Sequence, residues 1–103
     1  MVSTFEVRKA VAHQGYGLDI LINDEDFPVR SAVAEQGYGL DALVHDENAL
    51  VRIAVAKQGY GLDILNKDND LIVRKAVAKQ NYKLELSLKL DEKEISGVDL
   101  ASS

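Results

Sequence analysis

The chain is 103 residues long, carries a formal charge of −5 and contains no cysteine. That length holds one domain with a small core, and the missing thiols exclude a disulfide framework, a thiolate metal site and a cysteine nucleophile. The acidic balance disfavours nucleic-acid binding, which draws much of its affinity from neutralising phosphates.

The opening stretch MVSTFEVRKA has no apolar leader segment, and no later run is long enough to span a bilayer. A cytoplasmic address is the expectation. From residue 5 the chain repeats itself with a period of 22 residues and no gaps, in units 5–26, 27–48, 49–70 and 71–92. Strict repetition at this period is the mark of a solenoid, in which each unit buries its apolar face only against its neighbours.

In the first unit, FEVRKAVAHQ predicts a helix of about ten residues, ended by Gly15 in a left-handed conformation. The hexamer QGYGLD then turns the chain, and Leu18 and Leu21 at i, i+3 predict one short α or 3₁₀ turn. Asp19, like Asp41, Asp63 and Glu85 in later units, suits the start of that turn electrostatically. In the second unit Asp26 stands at the N-cap position and Pro28 in the first turn, with Val29, Ala32 and Val33 as the apolar stripe. Asn48 and Asp70 take the same capping place in the third and fourth units, and Gly37 and Gly59 the same stop as Gly15. The fourth unit carries Asn81 and Lys83 in place of both glycines, and Leu84, Leu86, Leu88 and Leu90 then alternate. Those leucines fit either an edge strand or a capping helix. The stack is expected to close near residue 92, with 93–103 frayed.

The pattern D-E-D-x-x-V-R-x-A-V-A at 24–34, followed by L-D-x-L at 40–43, resembles the short α-solenoids called leucine-rich repeat variants and the broader HEAT-like group. The resemblance covers about residues 5–90. It implies a longer and a shorter helix per unit, and stacking fixed by Asp–Arg ladders. HEAT units are longer than 22 residues, and the iron–sulfur cluster of one leucine-rich repeat variant needs cysteines that this chain lacks.

Arg8, Arg30, Arg52 and Arg74 hold one position in every unit, and Asp24, Asp46 and Asp68 stand six residues before the next arginine. Arginines recurring through a stack can bond carboxylates or carbonyls of an adjacent unit, with bidentate geometry. Binding of phosphate or an acidic peptide is the functional alternative. Tyr16, Tyr38, Tyr60 and Tyr82 are read as packing between units, with an aromatic ladder for bases or proline-rich peptides as the other reading.

The GYG triplet lacks the third glycine and preceding strand of a dinucleotide loop. His13 and His45 occupy different positions and form no metal-ligand spacing, and the acidic pairs lack the glycine and terminal glutamate of a calcium loop. No nucleophile, base and orienting group can be assembled. Neither a cofactor nor catalysis is expected.

What differs between units is one face of the longer helix. Lys9, Ser31, Ile53 and Lys75 share one position, and His13, Glu35, Lys57 and Lys79 follow one turn later. Leu50 and Ile72 stand where Glu6 and Pro28 do. The reading is therefore all-α: a right-handed solenoid of four two-helix units in residues 1–92 that binds an unidentified protein or peptide without catalysis. Nucleic-acid binding through the later lysines is an alternative, as is a structural role with self-association through the uncapped first unit. Such an end also fits derivation from a longer parent.

Overall fold

The computed structural model describes the backbone of residues 4–102 and the side chains of residues 4–90. The described chain is all-helical: α1 Thr4–His13, α2 Leu18–Leu21, α3 Phe27–Glu35, α4 Leu40–Leu43, α5 Ala49–Lys57, α6 Leu62–Leu65 and α7 Leu71–Ser102. Helix α1 packs on α3, α3 on α5 and α5 on α7, while each short helix wedges between its own long helix and the next.

The core follows from the period. Val29 and Val33, Val51 and Val55, and Val73 and Val77 lie at i, i+4 on the long helices and are at most 2% exposed. They meet Ala12, Ala34 and Ala56, all at 0%, and the leucines that end the short helices, Leu21, Leu43 and Leu65. Full burial of each valine is worth about 1.5–3 kcal/mol, so the repeated stripe supplies most of the driving force. Alanine opposite valine keeps neighbouring helices close.

The hexamer QGYGLD is a double turn. The Gly15 N–H donates to Ala12 O at 2.9 Å and the Tyr16 N–H to Val11 O at 3.2 Å, the two bonds of a Schellman closure. The second glycine is the more constrained of the pair. Gly39 and Gly61 open the short helices at φ 64° and 66°, and a Cβ on them would lie 2.1 Å from Ile22 Cδ1 and 2.6 Å from Val44 Cγ2. The apolar residue closing one short helix thus presses into the glycine that opens the next. In the third unit that residue is Asn66, and its partner position holds Lys83 rather than glycine.

Two expectations need correction. The fourth unit is one helix, not two. Without glycine at 81 and 83 nothing stops α7, which passes residue 92 and runs for 32 residues, about 48 Å at the usual rise. Leu84 and Leu88 extend the Val73–Val77 stripe beyond α5 at 47% and 65% exposure, so the alternating leucines are helical and not a strand.

Asp26, expected to cap α3, makes no side-chain cap bond. Asn48 Oδ1 accepts from the Leu50 N–H at 2.8 Å and Asp70 Oδ1 from the Ile72 N–H at 2.9 Å. The equivalent residue in α3 is Pro28, which has no N–H to donate. The Asp26 carboxylate instead accepts from Arg8 Nη2 at 2.6 Å.

Candidate functional site

The repeated arginines and aspartates lie on one edge of the molecule, and the variable face of the long helices on another. The first edge, at the turns before each long helix, holds the arginines and aspartates. Arg8, Arg30 and Arg52 each grip the aspartate sixteen residues on with two bonds: Nε to Oδ2 at 2.6, 2.8 and 2.8 Å, and Nη2 to Oδ1 at 3.2 Å in each. The third donor reaches backward, from Arg30 Nη1 to Asp24 O at 2.7 Å and from Arg52 Nη1 to Asp46 O at 2.7 Å. Arg74 does the same to Asp68 O, but residue 90 is leucine, so it has no carboxylate at the equivalent place.

Each of Asp24, Asp46 and Asp68 therefore holds two arginines, one on its carboxylate and one on its carbonyl. The same carboxylates also accept the N–H of Asp26, Asn48 and Asp70 and close the turns. With Nε, Nη1 and Nη2 all engaged and side chains only 11% and 14% exposed, Arg30 and Arg52 have little left for an external anion. Burial on its own would raise the Asp24 and Asp68 carboxyls. The bonds from Arg8 and Arg52, the turn N–H groups and the neighbouring positive charges outweigh it, so both lie below the ordinary carboxylate range. The Asp46 bond correspondingly raises the Arg30 guanidinium.

The second edge is the exposed face of the long helices. There α1, α3 and α5 enclose a groove of about 400 Å³. Its apolar lining is Phe27, Pro28, Ala32, Leu50, Ile53 and Ala54, with Lys9 and His13 contributed by α1 and Lys57 by α5. Ser31 and Glu35 lie between, and His13 Nδ1 stands 3.4 Å from Glu35 Oε2 across the α1–α3 contact. Next to it, a depression of about 270 Å³ is lined by Lys57, Ala76, Lys79, Gln80 and Lys83. Lys57 lines both, so the two hollows adjoin across the long helices.

Of the residues singled out from the sequence, Lys9, Ser31, Glu35, Ile53 and Lys57 converge on the groove and Lys79 on the depression, while Lys75 lines neither. Phe27, Pro28 and Lys83 were missed. Phe27, Ser31 and Glu35 are spaced by four, as are Lys79 and Lys83, so extending each helix stripe by one turn would have found two of them.

The tyrosine rings are less covered than a packing role implies: Tyr38 and Tyr60 are 41% exposed, Tyr16 70% and Tyr82 62%. Gln36 Nε2 donates to His13 O at the end of α1 at 3.0 Å. Among the described residues, no three His, Cys, Asp or Glu gather as metal ligands, and no helix is long and apolar enough to cross a membrane. No family model, curated protein or solved structure matches the chain.

Proposed function

We propose that the chain is a short right-handed solenoid, built in the manner of leucine-rich repeat variants and HEAT-like proteins. It acts as a non-enzymatic, cytoplasmic module that holds a protein segment in the groove over α1, α3 and α5. The support is a division of labour among positions. Residues identical from unit to unit build most of the core, the turns and the arginine–aspartate edge, whereas two variable positions of the long helices, Lys9, Ser31 and Ile53 and then His13, Glu35 and Lys57, line one groove together with apolar residues. Grooves of this kind, lined by both apolar and charged side chains, take peptide side chains as anchors.

Affinity capture from native lysate, run in parallel with an Ile53→Ser/Lys57→Ala/Lys79→Ala variant of matching circular dichroism, tests the assignment. A protein retained by the parent and lost from the variant supports it. Equal retention by both places binding on another surface and overturns it.

A second reading, self-association through the first unit, draws on Val7 and Val11. They are 51% and 38% exposed, while their equivalents at 29, 33, 51, 55, 73 and 77 are at most 2% exposed. Sedimentation of the chain at high concentration decides it: a concentration-dependent mass supports the reading, and a strict monomer removes it.

A further inference from the structure

We infer that the segment bound on the long-helix face is acidic as well as apolar: one or two large apolar residues, with carboxylates within the next few positions. This rests on the groove being a peptide site, and adds the chemistry of the peptide.

The first observation is charge placement. Lys57, Lys79 and Lys83 line the depression beside the groove with no carboxylate among its lining residues. None of the three forms an ion pair among the described residues. Lys79 and Lys83 are four apart on α7, where like charges repel and weaken a helix. Three unneutralised ammonium groups around one hollow, in a chain of net charge −5, are complementary to an anionic partner.

The second observation is continuity. Because Lys57 lines both hollows, a ligand seated against Phe27, Leu50 and Ile53 needs to extend only past that one side chain to reach Lys79 and Lys83. Four long helices at the usual spacing of 8–10 Å give a track of about 30 Å, and an extended peptide covers that in about nine residues. The apolar part anchors in the groove and the acidic part pairs with the lysines.

A nucleic-acid strand fits less well. The groove carries Glu35 and several apolar side chains, and the four lysines of the two hollows, Lys9, Lys57, Lys79 and Lys83, neutralise only about four phosphates, fewer than the 6–10 contacts of a strongly salt-dependent binder.

The test is selection of a random twelve-residue peptide library on phage against the full chain, with synthetic copies of the winners measured by fluorescence anisotropy. A 20-nucleotide single-stranded RNA is measured in parallel. Winners combining an apolar residue with several Asp or Glu support the inference. They should weaken about tenfold with Lys79→Glu/Lys83→Glu, at two surface pairs of ordinary strength, and lose affinity as salt rises from 50 to 300 mM.

Winners that are neutral or basic overturn the inference and leave the peptide-binding reading standing. A library that yields no winner overturns both. RNA bound more tightly than any acidic peptide also overturns the inference, and identifies the lysines as a phosphate-binding surface. Both lysines are exposed, so the double variant should fold as the parent does.

Discussion

Adding one methyl group to the glycine that opens a short helix should cost very different amounts in different units. Gly17 and Gly61 share a left-handed backbone, at φ 63° and 66°, and alanine at either is strained by about 1–2 kcal/mol. At Gly17 the new Cβ meets only Leu21 Cδ1, at 3.9 Å, which is ordinary contact. At Gly61 it would sit 2.6 Å from Val44 Cγ2 and 3.6 Å from Val44 Cβ. Val44 is 2% exposed and stiff at χ1, so it has little room to swing away. Overpacking of this kind adds about 1–3 kcal/mol.

Gly→Ala removes the same unfolded-state freedom at both sites, so the difference isolates the contact. Gly61→Ala should therefore be about 1–3 kcal/mol less stable than Gly17→Ala. That corresponds to about 4–8 °C in Tm per kcal/mol for a domain of this size. Gly39→Ala should fall between them, because Ile22 Cδ1 lies at the end of a rotatable chain. Urea melts followed by circular dichroism at 222 nm measure all three. Repeating Gly61→Ala in a Val44→Ala background should shrink its cost, which separates the contact from any effect of unit position. Equal midpoints for Gly17→Ala and Gly61→Ala would refute the close approach.

Further outcomes follow from the arginine edge and the core. Asp46→Ala leaves Arg30, only 11% exposed, without its bidentate partner, and should cost about 2–4 kcal/mol by urea melt. An Arg30→Met/Asp46→Leu pair should cost less than the sum of its single substitutions. Asp24 and Asp68 lie below the ordinary carboxyl value of 3.8, so the unfolded chain takes up their protons first as pH falls. Their contribution to stability is intact above about pH 4 and is lost as pH falls through their folded values. Urea midpoints should drop over that range, and Asp24→Asn/Asp68→Asn should flatten the drop. Val7→Ala, at a 51% exposed position, should cost under about 0.5 kcal/mol, and Val51→Ala, its fully buried counterpart, about 1–3 kcal/mol.

Much of this was legible in the residues, because the period aligns equivalent positions without a structure. Gly15, Gly37 and Gly59 mark the helix ends, whereas the loss of both glycines at Asn81 and Lys83 stood in the sequence while the fourth unit was still expected to hold two helices. What was hidden depends on distances between units. The residues that pair, Ile22 with Gly39 and Val44 with Gly61, were present in the sequence, but only the stacking brings them together. Asp26 was misread because its place in the repeat matches Asn48. The difference lies two residues on, where Pro28 removes the donor. The face bearing Ile53 and Lys57 could be drawn from helical spacing, whereas the groove's depth and its continuity with Lys83 depend on how the long helices sit side by side.

The double use of each aspartate has a consequence for how such a chain can change length. A 22-residue block from Asp26 to Glu47 carries Arg30 and Asp46 as a matched pair, offers the Asp46 carbonyl to whatever arginine comes next, and takes the preceding Asp24 carbonyl itself. A second copy of that block inserted in register would find every partner already in place, with no joint to redesign. Whole-unit duplication is thus a conservative edit of this architecture, while gain or loss of a single residue breaks the register of each bond that spans it. The reach of the exposed face is set by copy number, and its preferences by the few residues that copying leaves free to drift.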